Sequence, residues 1–93
     1  VPGTGDTIQV WLVERTFSDD EQNIIIAIYA TPDGSQYYRQ ERAVTSGHQT
    51  SETTAAVNVS PDNLGAVEDS STRERYAREA TRMRDTYDAH DTI

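Results

Sequence analysis

Cysteine and lysine are both absent from this 93-residue chain. Without cysteine the chain can form neither a disulfide nor a thiolate metal site, and its redox compartment leaves no mark in the sequence. The longest nearly apolar run, residues 23–31, is far shorter than the roughly 18 residues that a membrane-spanning helix needs. The sequence therefore excludes a disulfide framework and contains no candidate for a transmembrane helix.

Catalytic and phosphate-binding signatures are missing as well. The chain has no glycine-rich phosphate loop, no G-x-S-x-G segment and no H-E-x-x-H pair. The acidic segment 18–22 lacks the alternating ligands, central glycine and distal glutamate of a calcium loop, so a solvated turn is the better interpretation. We expect no cofactor, and nothing in the sequence supports catalysis.

The two histidines are the remaining candidates for chemistry. His90 lies between acidic residues in D-A-H-D and could contribute to a metal site, but such a site needs three or four rigidly held ligands. His48 lies in a polar loop and could act as a general base only beside a nucleophile, which no pattern locates. We therefore predict neither a metal site nor a catalytic residue.

The charge balance is strongly acidic: 16 acidic residues face 8 basic ones, the formal net charge is −8, and every basic residue is arginine. An acidic excess without lysine is typical of proteins that work in molar salt. There the Debye length is about 3 Å, so repulsion between surface carboxylates is screened. The alternative is a small acidic protein from a low-salt cell that lacks lysine by chance. We expect a halophilic, cytoplasmic protein.

The run N-I-I-I-A-I-Y-A-T at residues 23–31 is the centre of the predicted fold. Its β-branched isoleucines favour a strand over the competing interpretation of a short buried helix, and both faces of this strand are apolar. The P-D-G sequence that follows predicts a tight turn, after which residues 36–44 return as the other strand of a hairpin. We expect Tyr29 to lie opposite Tyr37.

Four further elements complete the predicted domain. Residues 7–17 and 53–59 alternate like two more strands, and residues 60–64 fit a single helical turn. A capping box formed by Ser71 and Glu74 begins a C-terminal helix that carries one apolar stripe and ends near Tyr87. The predicted organisation is a flexible N-terminal tail at 1–6, a single domain at 7–88 and a frayed C-terminal tail at 89–93.

These elements predict an α+β domain. Its sheet is an antiparallel β-meander of about four strands, paired in chain order, with the C-terminal α-helix packed on one face. One helix leaves the second apolar face to be covered, because large apolar patches are uncommon on monomers. One alternative is a homodimer formed across that face or along a strand edge. The other is that residues 45–70 fold over the face within one chain.

A mixed aromatic and arginine surface on the sheet is the candidate for interaction: Trp11, Val13, Tyr29, Tyr37 and Arg39. A homo-oligomer or another protein partner is the first interpretation, which makes the chain a non-enzymatic interaction module. The alternative is a nucleic-acid-associated accessory protein in which aromatic rings stack on bases beside arginine–phosphate contacts. The residues for that role are Trp11, Tyr37, Tyr38, Arg39 and Arg42. The net charge of −8 opposes this alternative, because phosphate binding depends on basic surface.

Three segments carry a family resemblance: V-W-L-V-E-R-T-F-S-D-D, the A-T-P-D-G turn and the helical R-E-R-Y-A-R-E-A-T-R-M. Together they resemble a group of small haloarchaeal α+β proteins of unknown function, over most of residues 7–93. The resemblance implies a salt-filled cytosol and no known activity. No functional residue can be carried over from it.

Overall fold

The computed structural model describes residues 7–18, 24–43 and 53–93. The predicted α+β class is confirmed, since an antiparallel sheet is followed by a C-terminal helix. The single helical turn predicted around residue 61 is confirmed as a short 3-10 helix, Pro61–Asn63, capped by Ser60. The remaining elements are β1 (Ile8–Ser18), β2 (Ile24–Ala30), β3 (Gln36–Ala43), β4 (Ala56–Val59), β5 (Gly65–Ala66) and α1 (Ser70–Thr86).

The strand order in the sheet is β4-β1-β2-β3-β5, with every pair antiparallel. The prediction that β4 follows β3 in the sheet is wrong, because β4 pairs with β1. Val57 and Val59 of β4 lie opposite Val10 and Ile8, so apolar side chains meet apolar side chains. The polar β3 would have offered no such match. The short β5 takes the place beside β3 instead.

The β2–β3 hairpin has a register one residue away from the predicted one. Tyr29 lies opposite Tyr38, and Ala30 lies opposite Tyr37. The turn determines this register: Thr31 N donates to Gln36 O at 3.0 Å, so four residues rather than three close the hairpin. A slip of one residue reverses the face on which each side chain lies. Tyr37 therefore lies on the face opposite to that of Tyr29.

The side chain of Asp33 holds this turn together. Its Oδ1 accepts hydrogen bonds from Thr31 Oγ1 at 2.6 Å, Ser35 Oγ at 2.8 Å and Ser35 N at 3.0 Å. These bonds stabilise the carboxylate and hold its pKa below the ordinary value, with the Thr31 hydroxyl as the largest cause. Gly34 takes a φ of +75°, the left-handed conformation expected for this glycine.

A β-bulge in β1, which no sequence pattern indicates, changes how that strand presents its side chains. Leu12 pairs with Tyr29 and Glu14 pairs with the neighbouring Ile28, so Val13 is an extra residue. The bulge places Glu14 on the same face as Ile28. There its Oε1 lies 3.4 Å from Nη2 of Arg75 in α1.

The helix covers the face that carries Trp11, Ile28 and Ala30. On the helix side of this contact, Ala80 and Met83 are buried. They belong to the predicted apolar stripe, whose last member, Tyr87, is exposed.

The opposite face of the sheet is also buried within one chain. Val10, Ala27 and Tyr29 are at most 3% exposed on that face. Residues 60–64 connect β4 and β5 at the two edges of the sheet, and Leu64 packs against the core. The sequence leaves two alternatives open for this face, and burial within one chain is the second of them.

The helix begins with a different cap from the predicted one. Asp69, not Ser71, is the N-cap, and its Oδ2 accepts from Thr72 N at 2.9 Å and from Thr72 Oγ1 at 2.9 Å. The hydrogen bond from Thr72 N is the main reason that the pKa of Asp69 is lowered. At the other end Tyr87 is the C-cap, as its predicted position requires.

The last residues differ from the frayed tail that the sequence predicts. Ala55 N donates to Asp91 O at 2.8 Å, Ala56 N to Ala89 O at 3.1 Å, and Ile93 N to Thr53 O at 2.8 Å. These bonds join the last residues to the segment that leads into β4 and to its first residue. The expected tail at 1–6, the acidic connector and the loop of His48 lie wholly or mostly outside the described residues. In the described parts of the chain, no helix has both the length and the apolar character to cross a membrane.

Candidate protein-binding edge

The outer edge of β3 is largely without a strand partner among the described residues. β3 has eight residues, but β5 pairs only with Gln36 and Tyr37. Among the described residues, no strand pairs with the outer side of residues 38–43. After β3 the described chain resumes at residue 53 and enters β4, which lies beyond β1 on the far side of the sheet. A long unpaired edge is a template for another extended chain.

The hydrogen-bond pattern shows which backbone groups point outward. Gln36 O accepts from Thr31 N on the β2 side, whereas Ser35 O accepts from Val67 N on the β5 side. Backbone groups of successive strand residues point alternately to the two sides. The N–H and C=O of Arg39 and Glu41 therefore point away from the sheet. Those of Tyr38 and Gln40 point toward β2.

An open groove of about 480 Å³ lies beside the first part of this edge. Tyr38 and Leu64, which pack against the core, give it an apolar part. Arg39 and Asp62 give it charges of opposite sign. The lining residues are Tyr37, Tyr38, Arg39, Asp62, Asn63, Leu64 and Gly65.

The ring of Tyr37 is held against the backbone of Gly65. A Cβ atom at Gly65 would lie 2.7 Å from Cε1 of Tyr37 and 3.0 Å from its Cζ, closer than side chains tolerate. Glycine is therefore the residue that lets the ring lie against β5. This contact fixes one wall of the groove.

Arg39 and Glu41 form an ion pair within β3, on the face of the sheet that α1 covers. Their side chains are 50% and 47% exposed, so water screens the pair and its contribution to stability is small. Both side chains are therefore available to exchange this contact for one with a bound chain.

A smaller cavity of about 170 Å³ lies between the sheet and the start of α1. Tyr37 and Tyr76 contribute rings to it, and Glu68 and Asp69 contribute carboxylates. Burial raises the pKa of Tyr76, and the nearby Glu14 carboxylate adds to the effect. Arg75 lies over the Tyr76 ring at 5.2 Å from the centroid.

The predicted interaction residues do not form one surface. Trp11 is 5% exposed beneath the helix and Tyr29 is 1% exposed on the opposite face. Val13 is the bulge residue, packed against the core. Tyr37 and Arg39 do come together, at the groove. Sequence reasoning about this surface left out Glu41 and residues 62–65, although the charged alternation of β3 is a pattern typical of edge strands.

His90 is exposed after α1, and His48 lies outside the described residues. Within residues 7–18, 24–43 and 53–93, no group of three or more acidic or histidine side chains could hold a metal ion.

Comparison with known proteins identifies a family for this chain but gives no activity. No curated protein and no solved structure matches it. One family model matches residues 4–93, nearly the whole chain. The chain therefore belongs to the Family of unknown function (DUF7967).

Proposed function

We propose that this protein is a non-enzymatic interaction module that binds an extended protein segment as an additional strand on the outer edge of β3. One observation carries the proposal: β5 covers two of the eight residues of β3 and leaves a six-residue edge without a strand partner among the described residues. Strand addition is a common mode of peptide recognition, in which backbone hydrogen bonds provide affinity and pockets for alternate side chains provide specificity.

The edge alone supports only weak binding. Arg39, Glu41 and Ala43 offer three N–H and three C=O groups, hence at most six hydrogen bonds. Each contributes a net of about 0.5–1.5 kcal/mol, or roughly 3–9 kcal/mol in all. Association itself costs about 4–15 kcal/mol in lost freedom of motion. Additional contacts are therefore required.

The groove supplies those contacts. It lies directly beside Tyr37, Tyr38 and Arg39, so a side chain of the bound strand can enter it while the backbone pairs with β3. The apolar part suits an apolar or aromatic side chain, because burying one removes its surface from water at about 25 cal/mol per Å². Asp62 and Arg39 in the polar part of the groove favour hydrogen-bonding or charged residues next to that side chain in the bound strand.

The composition supports a setting in a salt-rich cytosol. With a net charge of −8 and no lysine, the chain carries an acidic surface whose self-repulsion is relieved by molar salt. Backbone hydrogen bonds and apolar contacts are less sensitive to salt than charge pairs. Strand addition is thus a mode of binding that works under such conditions.

Nucleic-acid binding has weaker support. Of the aromatic residues in the predicted stacking surface, Trp11 is buried in the core and cannot stack on bases. Tyr37, Tyr38 and Arg39 remain, and Arg39 already pairs with Glu41. The protein segment is therefore the favoured ligand.

A proline substitution tests the proposal. Glu41→Pro removes an outward N–H but leaves the hydrogen bonds of β3 to β2 intact, because the backbone groups of Glu41 face away from β2. Glu41→Ala is the matched control, since it removes the same side chain and keeps the N–H. Peptides selected from a displayed library of random extended sequences should shift the amide NMR signals of Arg39 and Glu41. Their affinity should fall at least tenfold with Glu41→Pro and little with Glu41→Ala.

The proposal fails if the selected peptides shift signals elsewhere on the surface. It also fails if Glu41→Pro, folded by circular dichroism, binds them as tightly as Glu41→Ala.

A further inference from the structure

We propose that the strand added to β3 is β3 of a second copy, in an antiparallel pair whose two-fold axis passes through Gln40. This inference rests on the proposed function, because it names the partner that occupies the same edge. The evidence is the charge sequence along the edge, together with the direction of its backbone groups and the position of β5.

The hydrogen-bond pattern restricts how two copies can pair. Outward groups of one copy must meet outward groups of the other, and those of Arg39 and Glu41 are outward. A two-fold axis can therefore pass through any residue of the open edge, but not between residues. A position between residues would place an outward residue opposite an inward one.

The other registers with an axis at residues 38–42 are unfavourable. An axis at residue 38 brings Tyr37 into the pair, and an axis at residue 42 sets Arg42 against Arg42. An axis at residue 39 sets Arg39 against Arg39 and brings Tyr37 into the pair, where β5 already lies. An axis at residue 41 sets Glu41 against Glu41. Like charges directly opposite each other on adjacent strands are destabilising.

The axis at Gln40 satisfies every condition. Arg39 of each copy then faces Glu41 of the other copy, so opposite charges meet twice. The paired span is 38–42 in both copies, which stays clear of β5 at residues 36 and 37. The two facing pairs exchange four backbone hydrogen bonds. The exposed ion pair within each strand is thereby replaced by two ion pairs between strands.

Salt should strengthen this association. Each copy carries a net charge of −8, so two copies repel each other over the Debye length of about 10 Å at 0.1 M salt. At 1 M that length is about 3 Å, so the long-range repulsion is screened while charges in contact still interact. We expect dimers to become more abundant as KCl rises from 0.1 M to about 1 M.

Charge exchange between the two facing positions tests the register. Arg39→Glu places four acidic side chains at the contact, and Glu41→Arg places four arginines there. Each single variant should dimerise about tenfold more weakly than the unmodified protein, since two attractive pairs become two repulsive ones. An equimolar mixture of the two variants should form heterodimers, and the double exchange Arg39→Glu with Glu41→Arg should restore the homodimer.

Substitutions on α1 that change the net charge by the same amounts serve as controls. Arg39→Glu changes the net charge from −8 to −10, and so does Arg78→Glu on the exposed side of the helix. Glu41→Arg changes it from −8 to −6, and so does Glu74→Arg. The two α1 variants should dimerise as the unmodified protein does, with any difference confined to the salt dependence.

Sedimentation equilibrium of all variants, at KCl concentrations between roughly 0.1 and 1 M, gives the outcome. Dimers that respond to charge exchange, with rescue in the mixture and in the double variant, support the inference. Dimers without rescue overturn the register. A monomer under all conditions overturns self-pairing. If the protein is monomeric but displayed peptides still bind less tightly to Glu41→Pro than to Glu41→Ala, the proposed function stands and only the second copy as partner is ruled out.

Discussion

Gly34 is the position where the hairpin turn touches α1, and replacing it tests the packing of helix on sheet. Its φ is +75°, and a Cβ atom there would lie 2.1 Å from Arg73 O and 2.8 Å from Ala77 N. A side chain in the left-handed region costs about 1–2 kcal/mol. Forcing the helix backbone away costs about 1–3 kcal/mol more. Gly34→Ala should therefore destabilise the fold by about 2–5 kcal/mol, a large part of the roughly 5–15 kcal/mol that such domains have.

Urea unfolding followed by tryptophan fluorescence measures this loss. Trp11 is the only tryptophan and is 5% exposed beneath the helix, so its emission reports on the same contact. Gly34→Asn separates the two causes, because asparagine tolerates positive φ but keeps the clash. Gly65→Ala is a control in which the three nearest neighbours of the new Cβ are side-chain atoms of Tyr37 rather than helix backbone. A free energy of unfolding for Gly34→Ala within about 0.5 kcal/mol of the unmodified protein would refute the reasoning.

Two further predictions concern acid and salt. The hydrogen bonds to Asp33 lower its folded pKa, so its stabilising contribution is present above the unfolded pKa near 3.8 and is lost as the pH falls through the folded value. Asp33→Asn should therefore flatten the acid side of the stability profile measured by urea unfolding, and an unchanged profile would contradict this role. The net charge of −8 predicts that the unfolding temperature of the monomer rises with KCl. Circular dichroism of Glu41→Pro measures this temperature without a contribution from dimerisation. An unfolding temperature that does not change with KCl would argue against the salt-rich setting.

The sequence predicts those parts of the fold that depend on local patterns. The isoleucine run, the P-D-G turn and the helical stripe each carry a period or turn signal of their own, and each element is present in the structure. The predicted ends of these elements lie within a few residues of the observed ends, because they rest on the same local signals. The N-cap shows the limit of local signals: Ser71 has the capping-box pattern, but the N-cap of the helix is Asp69, which adds a carboxylate at its positive end.

The parts that could not be predicted depend on contacts between distant residues. The place of β4 beside β1 is decided by matching valines across the sheet, and the bulge at Val13 has no local sequence signal. The hairpin register depended on the side-chain bonds of Asp33, and a difference of one residue moved Tyr37 to the other face. Since the candidate surface combined both faces, only Tyr37 and Arg39 of its five residues meet at the groove.

Amide hydrogen exchange along β3 is the most direct test of the open edge. The inward amides of Tyr38 and Gln40 should be protected at every protein concentration, because they bond to β2. The outward amides of Arg39 and Glu41 should exchange rapidly in dilute solution and become protected as a partner strand pairs with them at high concentration. Protection of Arg39 and Glu41 that is already complete in dilute, monomeric protein would mean that the chain covers its own edge, and would contradict the account.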